Sequence, residues 1–240
     1  MISDGKQYLL LLPGLVCDQT AWQPQIEALS GVAACSCPGW GLLDSLPKMA
    51  DSVLQSAPDR FALAGHSMGG RVALEVYRRA PERVLRLALL DTGYQARPLG
   101  EAGEVEKRKR YALYDIALSR GMRAMGMEWL PPMLHPARVH DKPLVEKILD
   151  MIERKTPDIF EAQIRALLAR PDATELLSQI HCPTLVLCGR EDSWSPPDQH
   201  QRIAAAVPGS HLAVIPECGH MSTVERPADV SKALGAWLQA

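Results

Sequence analysis

The sequence lacks any apolar run long enough to cross a membrane or to form the core of a secretion signal. Near the N-terminus, residues 8–12 form a run of only five, with Asp4 and Lys6 before it and Pro13 and Gly14 after it. A spanning helix requires about 20 apolar residues, and the cleavage site of a signal peptide is missing. We therefore expect neither membrane insertion nor export, and we predict a cytoplasmic protein.

The sequence also lacks an excess of positive charge. Its 26 Lys and Arg residues stand against 28 Asp and Glu residues, for a net charge of −2, and the isoelectric point is near 6.4. Such a chain has no net positive field to draw it onto a phosphate backbone or an anionic lipid surface. Nucleic acid and membranes are therefore not expected as partners, whereas a small-molecule substrate is.

Six cysteines are present, but the small size and the export signal of a disulfide-stabilised secreted protein are missing. We therefore expect reduced thiols. Cys35 and Cys37 alternate within a strand-like run, so their side chains are expected on opposite faces. Neither a metal site nor a cofactor is predicted.

What the sequence does contain is a regular alternation of short apolar runs and helical segments. Most of the runs lack the polar alternation of half-exposed strands, as expected for strands that are buried on both faces; they are 8–12, 32–37, 61–65, 85–90, 184–189 and 211–215. Segments with helical character lie between them, at 22–29, 49–55, 67–79, 197–207 and 228–238. This order predicts an α/β fold with a mostly parallel sheet of about six strands flanked by helices.

The alternation stops between Leu90 and Thr184, where no convincing strand is present. Residues 142–155 and 159–170 in this interval have helical periodicity. We therefore predict an α/β core formed by residues 1–93 and 179–240, with residues 94–178 inserted after the fourth strand as a helical cap. A chain of 240 residues is long enough for one large core and short for two independent domains.

Two features of the predicted cap allow two interpretations each. The basic run at 107–110 is either a ligand patch or a solvated helix face, and the flanking Glu104 and Glu106 favour the solvated face. An apolar set either lines an acyl pocket or forms the cap's own core, which we favour for any single member; the set is Met122, Met125, Met127, Trp129, Leu130, Met133 and Leu134. Arg123 and Arg138 are further candidates for pairing with a substrate carboxylate.

The run Gly65-His66-Ser67-Met68-Gly69-Gly70 joins a predicted buried strand to an amphipathic helix and contains the motif Gly-x-Ser-x-Gly. A sharp strand-to-helix turn strains the backbone of its serine, and small residues two positions away avoid clashes with the neighbouring strand and helix. The turn presents the hydroxyl at the carboxyl edge of the sheet and at a helix N-terminus, where negative charge is favoured. Ser67 is therefore predicted as a nucleophile, the alternative being a simple helix N-cap.

A serine hydroxyl is a weak nucleophile that needs a base, and the base needs an acid to orient it. Asp192 follows the predicted strand at 184–189, and His220 follows the one at 211–215. Both therefore lie in loops at the carboxyl ends of strands. The chain order of Ser67, Asp192 and His220 is the one expected when these groups occupy successive loops of such a sheet, so we predict them as the catalytic residues.

Two rivals for these roles share the same sheet edge. Asp91 also ends a predicted strand and is an alternative acid, but we favour Asp192 because the run at 189–192, followed by Pro196 and Pro197, is the commoner setting. His66 is adjacent to the serine inside the turn, so its ring is expected to point away from the hydroxyl. We therefore assign His66 to the pocket lining or to the structure.

The oxyanion that forms during acyl transfer needs preorganised N–H donors, and removal of one donor costs about 10²- to 10³-fold in rate. The backbone N–H of Met68, at the start of the helix, is predicted as the first donor. The second is expected from the loop after the first strand, where Gly14 lets the backbone come close. We predict the backbone N–H of Leu15.

On these motifs the chain resembles the α/β-hydrolase superfamily along nearly its whole length. The matching segments are 12–14, 65–70, 182–184, 189–192 and 219–220. Within the superfamily it is similar to small bacterial esterases and to 3-oxoadipate enol-lactonase-like hydrolases, particularly at 203–209 and 220–227. The resemblance implies a Ser-Asp-His triad, a helical cap over the pocket and no cofactor. Pro13 departs from the pattern, because many relatives have histidine before this glycine.

The expected function is cleavage of a small carboxylic ester, thioester or lactone through an acyl-enzyme on Ser67. His220 is then the base and later the acid, and Asp192 orients it. A carbon–carbon bond hydrolase or an acyltransferase would use the same three residues. A non-catalytic ligand-binding member of the fold is a further alternative, whose usual sign is a missing triad residue, and none is missing here.

Overall fold

The structure of the protein, a computed structural model, describes residues 6–240. Asp4, one of the two charged residues named before the first apolar run, lies outside the described residues. Among the helices of the described part, none combines the length and the apolar composition that a transmembrane segment needs.

Six parallel strands form one sheet in the described chain, which confirms the predicted fold class. The strands are β1 (Gln7–Leu12), β2 (Ala33–Ser36), β3 (Phe61–His66), β4 (Val84–Leu90), β5 (Thr184–Gly189) and β6 (His211–Ile215). Their order across the sheet is β2-β1-β3-β4-β5-β6. Every residue of β3 and β5 is buried, because the helices of this fold cover both faces of a parallel sheet. The carboxyl ends of β3 to β6 therefore lie side by side at one edge.

Helices connect the strands close to the positions that the periodicity predicted. They are α1 (Gln23–Leu29), α2 (Leu46–Ser56), α3 (Met68–Arg79), α4 (Glu101–Arg120), α5 (Met122–Trp129), α6 (Lys142–Glu153), α7 (Pro157–Leu168), α8 (Thr174–Leu177), α9 (Pro197–Ala206), α10 (Ser222–Glu225) and α11 (Pro227–Gln239). The side chain of Ser45 caps α2 by accepting the N–H of Lys48, which satisfies a donor that has no partner inside the helix. Arg78 and Arg79 lie in the last turn of α3, where positive charge complements the helix dipole.

The segment between β4 and β5 is helical, as predicted. It contains α4 to α8, and α6 and α7 begin after Asp141 and Thr156, whose side chains accept backbone N–H groups of the first turn. Its apolar residues belong to the same hydrophobic cluster as one face of the sheet, where Met125 and Phe160 join Leu63. The division into a core (1–93 and 179–240) and a cap (94–178) stays a prediction.

The six cysteines all lie within the described residues and form no disulfide. All six cysteines are free thiols. Cys35 lies within β2, and Cys37 lies just beyond its end. Residues 6–240 contain no group of three or more His, Cys, Asp or Glu side chains arranged to hold a metal ion.

Candidate active site

The predicted nucleophile, Ser67, occupies a strained turn between β3 and α3. Its φ and ψ angles are 54° and −117°, a region that residues with a side chain rarely adopt. A Cβ atom at Gly65 would clash with the backbone of Gly69, and a Cβ atom at Gly69 would clash with the Leu12 carbonyl. The turn therefore requires glycine on both sides of the serine. The hydroxyl of Thr92 donates a hydrogen bond of 2.6 Å to the Ser67 carbonyl and so holds the turn against the end of β4.

The fold brings Ser67, His220 and Asp192 into one hydrogen-bonded line. The Nε2 atom of His220 is 2.9 Å from the Ser67 Oγ atom, and its Nδ1 atom is 2.8 Å from the Asp192 Oδ2 atom. The other carboxylate oxygen of Asp192 accepts the backbone N–H groups of Trp194 and Ser195 at 2.8 and 2.9 Å. The orientation of the carboxylate toward the histidine is therefore set by its own loop.

The surroundings of this pair favour an ionised Asp192. Burial raises the pKa of Asp192, but the charge of His220 and the hydrogen bonds from His220, Ser195 and Trp194 outweigh burial and leave the pKa below its ordinary value. Burial lowers the pKa of His220, whereas the charge and the hydrogen bond of Asp192 raise it above its ordinary value. The arrangement thus stabilises a protonated imidazole beside Ser67, as required of a base that accepts a proton.

Asp91, the rival acid, makes different contacts. It is fully buried with a φ of 46°; one of its carboxyl oxygens accepts the Gly189 N–H at 2.9 Å, and the other accepts the Ser222 hydroxyl. Burial and the charge of Asp192 raise the pKa of Asp91 well above its ordinary value. This carboxyl therefore ties the end of β5 to α10, and in the described chain it forms no hydrogen bond with His220.

His66 points away from the Ser67 hydroxyl, as expected for adjacent residues in the turn. Its side chain is fully buried, and the Nε2 N–H donates to the backbone carbonyl of His220 at 2.8 Å. The ring of Trp22 meets it edge-on at a centroid distance of 6.4 Å. Burial lowers the pKa of His66 to about 4. His66 was assigned either to the pocket lining or to the structure. The structural role fits, because the neutral ring links the turn at Ser67 to the loop that carries His220.

The two predicted oxyanion donors come from the loop after β1 and from the first residue of α3. Leu15 and Met68 both line the cavity that contains Ser67, and neither backbone N–H has an acceptor within residues 6–240. A Cβ atom at Gly14 would lie 3.3 Å from the Cβ of Ser67 and 3.1 Å from the Nδ1 of His66. The absence of a side chain at Gly14 therefore lets the two loops approach.

Two residues that the sequence reasoning did not single out hold the Leu15 loop. The N–H of Val16, whose φ is 52°, donates to the Gln163 side chain at 2.7 Å. The indole N–H of Trp40 donates to the Pro13 carbonyl at 3.0 Å. Gln163 is a buried polar residue on an otherwise apolar face of α7, and that interruption of the apolar pattern was the available signal.

Glu225 plays a similar part for the loop that carries His220. One of its carboxylate oxygens accepts the N–H groups of Gly219 and Met221, both at 3.1 Å, and the other accepts the N–H of His135 at 2.8 Å. The backbone N–H of His220 itself donates to the Met133 carbonyl at 2.7 Å. These contacts tie the loop to the helical segment, and no sequence signal marked Glu225 for this role.

A cavity of about 590 Å³ opens above Ser67 and His220. From the apolar set predicted in the helical segment, Trp129 and Met133 line this cavity. The others are buried in the hydrophobic cluster, except Met127, which is 61% exposed; the buried ones are Met122, Met125, Leu130 and Leu134. Trp129 and Met133 belong to that cluster as well, so the core interpretation holds for every member except Met127, and two members also border the cavity. Arg123 and Arg138 pair with acidic residues outside the cavity.

The basic run at 107–110 is divided between solvent and the cavity. Lys107 and Arg108 are exposed, and Arg108 pairs with Glu101. Lys109 and Arg110 line the cavity, although Lys109 is itself exposed. The favoured interpretation as a solvated face therefore describes three of the four residues, and the exception is Arg110, which is partly buried and pairs with Glu106.

A family model described as "Alpha/beta hydrolase family" matches residues 9–233. This chain belongs to the alpha/beta hydrolase family. Among curated proteins, this hydrolase is 29% identical over 246 residues to a 2-hydroxy-6-oxononadienedioate/2-hydroxy-6-oxononatrienedioate hydrolase of Klebsiella pneumoniae, with 92% of this chain and 83% of the relative covered. The resemblance seen in the sequence motifs is thereby confirmed at the level of the family.

Solved structures agree with the family assignment. The hydrolase is 30% identical to a thermophilic esterase from Thermogutta terrifontis with malate bound, with a TM-score of 0.85 and coverage of 98% of this chain and 90% of that one. An enol-lactonase from Burkholderia xenovorans has a TM-score of 0.86 at 21% identity, with 100% of this chain and 94% of that chain covered. At that identity, the enol-lactonase supports the fold alone.

Proposed function

We propose that this hydrolase is a serine hydrolase that cleaves a small carboxylic ester, thioester or lactone through an acyl-enzyme on Ser67. The observation that carries the proposal is the line of short hydrogen bonds from Ser67 through His220 to Asp192. The strained turn, the free N–H groups of Leu15 and Met68 and the cavity above the serine supply the remaining requirements of acyl transfer. Residues 94–178 act as a cap that forms one wall of this cavity.

In the proposed mechanism, the Ser67 Oγ attacks the substrate carbonyl while its proton passes to the Nε2 of His220. The backbone N–H groups of Leu15 and Met68 donate to the oxyanion that forms, and Asp192 stabilises the imidazolium. His220 then donates the proton to the leaving oxygen or sulfur, which leaves the acyl group on Ser67. A water molecule, deprotonated by His220, attacks the acyl-enzyme; the bond from the acyl carbon to the Ser67 Oγ then breaks, His220 returns the proton to that Oγ, and the carboxylic acid is released.

The direct test is labelling of the purified protein with a fluorophosphonate probe, which phosphonylates an activated serine. We expect the wild type to be labelled at Ser67 and the Ser67→Ala variant to remain unlabelled, because its alanine offers no hydroxyl. The control is Ser119→Ala, since Ser119 lies exposed on α4 and bonds only the Asp115 carbonyl. A folded wild type without label, or undiminished labelling of Ser67→Ala, would contradict the proposal.

The pH dependence of kcat/KM provides a second test. His220 accepts a proton only when it is neutral, and its pKa lies above the ordinary value of 6.5 because of Asp192. We therefore expect activity to fall as the pH decreases through a pKa above that value, and to be retained on its alkaline side. Hydrolysis of a p-nitrophenyl ester, measured from about pH 5 to about pH 9, checks this. An acid limb below the ordinary histidine value would argue against the Asp192 pairing.

The second candidate is cleavage of a carbon–carbon bond beside a ketone. The observation that favours it is the Klebsiella pneumoniae relative, whose name gives a 6-oxo dioic acid as its substrate and includes neither an ester nor a lactone. The same three residues would serve, with a carbanion as the leaving group. A panel of esters, lactones and diketones assayed with one enzyme preparation distinguishes the two candidates, because the preferred class has the highest kcat/KM.

A further inference from the structure

The lining of the cavity is strongly basic, in contrast to the slightly negative net charge of the whole chain. Four cationic side chains line the cavity together with a single carboxylate, that of Glu106; the cations are Arg71, Lys109, Arg110 and Arg170. The whole chain has a net charge of −2. The positive charge is therefore concentrated where a substrate would lie, and a wall of one charge sign raises the local concentration of the opposite charge.

The single carboxylate is already engaged by two of these cations. Glu106 forms ion pairs of 2.8 Å with Arg110 and of 2.6 Å with Arg170. Burial raises the pKa of Glu106, but the hydrogen bonds and charges of Arg170 and Arg110 lower it to about 2. Glu106 is thus ionised and shared between two arginines. Glu106, Arg110 and Arg170 together therefore carry one net positive charge. Arg71 and Lys109 add to that charge.

Arg71 lies one turn after Ser67 on α3, and within residues 6–240 it has no carboxylate within ion-pair distance. Its guanidinium donates a hydrogen bond of 2.8 Å to the Gln95 carbonyl and packs directly against Gly93, where a Cβ atom would clash with it. Burial and the neighbouring Arg170 and Arg110 lower the pKa of Arg71 to about 9, and the opposing charges of Glu106 and Asp172, neither of which forms an ion pair with Arg71, do not compensate. The guanidinium is therefore positioned by neutral groups and lacks an anionic partner.

We infer that Arg71, supported by Arg110 and Arg170, forms a subsite for a substrate carboxylate, so that the preferred substrate carries a carboxylate in addition to the bond that is cleaved. This inference rests on the proposed function of Ser67. A guanidinium fork matches the geometry of a carboxylate and can bind it through two parallel hydrogen bonds. Ser67 and Arg71 line the same cavity. The subsite can therefore hold the carboxylate of the substrate while the carbonyl group that is attacked lies at Ser67.

The test compares two p-nitrophenyl esters of nearly equal shape: mono-p-nitrophenyl adipate, and p-nitrophenyl 6-methylheptanoate, in which an isopropyl group replaces the carboxylate. We expect the wild type to prefer the adipate ester. In Arg71→Gln we expect kcat/KM for the adipate ester to fall about 10- to 100-fold, the usual range for loss of a charged hydrogen bond, mainly through KM. Hydrolysis of the neutral ester should change little. Arg202→Gln is the control, because Arg202 pairs with Asp198 on the surface of α9.

A binding measurement separates this inference from the proposed function. Adipate should bind to the Ser67→Ala variant in calorimetry, and the additional substitution Arg71→Gln should weaken that binding by the same 10- to 100-fold factor. Equal losses for both esters in Arg71→Gln, or adipate binding that is indifferent to Arg71, would overturn the subsite and leave Ser67 untouched. Absence of fluorophosphonate labelling with intact adipate binding would instead overturn the proposed mechanism.

Discussion

Replacing Ser67 by alanine is expected to lower kcat for ester hydrolysis by about 10⁴- to 10⁶-fold, because no acyl-enzyme can form without its hydroxyl. His220→Ala is expected to lower kcat by a similar factor, since the hydroxyl then loses the base 2.9 Å away. The two residues act as one unit, so the double variant should be scarcely worse than either single variant. Steady-state kinetics on one p-nitrophenyl ester, with circular dichroism to check folding, measures all three.

The control for these variants is again Ser119→Ala, which should retain wild-type kcat. Activity of Ser67→Ala within tenfold of the wild type would contradict the acyl-enzyme mechanism. Additive losses in the double variant would show that the serine and the histidine contribute independently, and this too would contradict the proposed proton transfer.

The second large effect is expected from Asp192→Asn, which should lower kcat by about 10⁴-fold, as loss of the orienting carboxylate does in serine proteases. The amide carries no charge to stabilise a protonated His220. The acid limb of the pH profile should therefore move to lower pH, because Asp192 is what raises the pKa of the histidine. Kinetics across pH on the same ester measures both changes.

Asp91→Asn is the matched comparison, because it makes the same chemical change in the neighbouring loop. Its kcat should fall by no more than about tenfold. An asparagine oxygen can still accept the Gly189 N–H, and its amide can donate to the Ser222 hydroxyl, which replaces the contacts that Asp91 makes now. If Asp91→Asn loses more turnover than Asp192→Asn, the acid has been assigned to the wrong residue.

The strands were predictable from the sequence because a buried parallel strand has a distinct pattern. All six apolar runs became strands, and the one at 184–189 matches β5 at both ends. The segment between β4 and β5 was predicted as helical because it contained helical periodicity and no strand pattern. The identity of the residues in this segment that border the cavity was not predictable. Amphipathic patterns show which helix face is buried, but not whether that face packs on the sheet or borders an opening.

Among the candidate residues, Ser67 was the easiest to predict from the sequence, because the steric requirements of its turn fall on residues close to it in the chain. The glycines at 65 and 69 are required by contacts within the turn and with the adjacent strand, so the motif itself carries the signal. Gln163 and Glu225 left almost no such signal. Their hydrogen bonds cross to distant loops, over 147 residues for Gln163 and 90 residues for the contact of Glu225 with His135.

The sequence by itself determined the α/β class, the positions of the six strands along the chain and the motif around Ser67. These features depend on hydrophobic periodicity and on residues that are close together in the sequence. Only the tertiary structure decided which aspartate faces His220, since Asp91 and Asp192 both follow strands and differ only in their contacts across the sheet edge. It also decided the surroundings of Arg71. This charge looks ordinary in the sequence, and it becomes unusual only because basic residues of α3, of α4 and of the segment after α7 converge at one cavity without enough carboxylates to balance them.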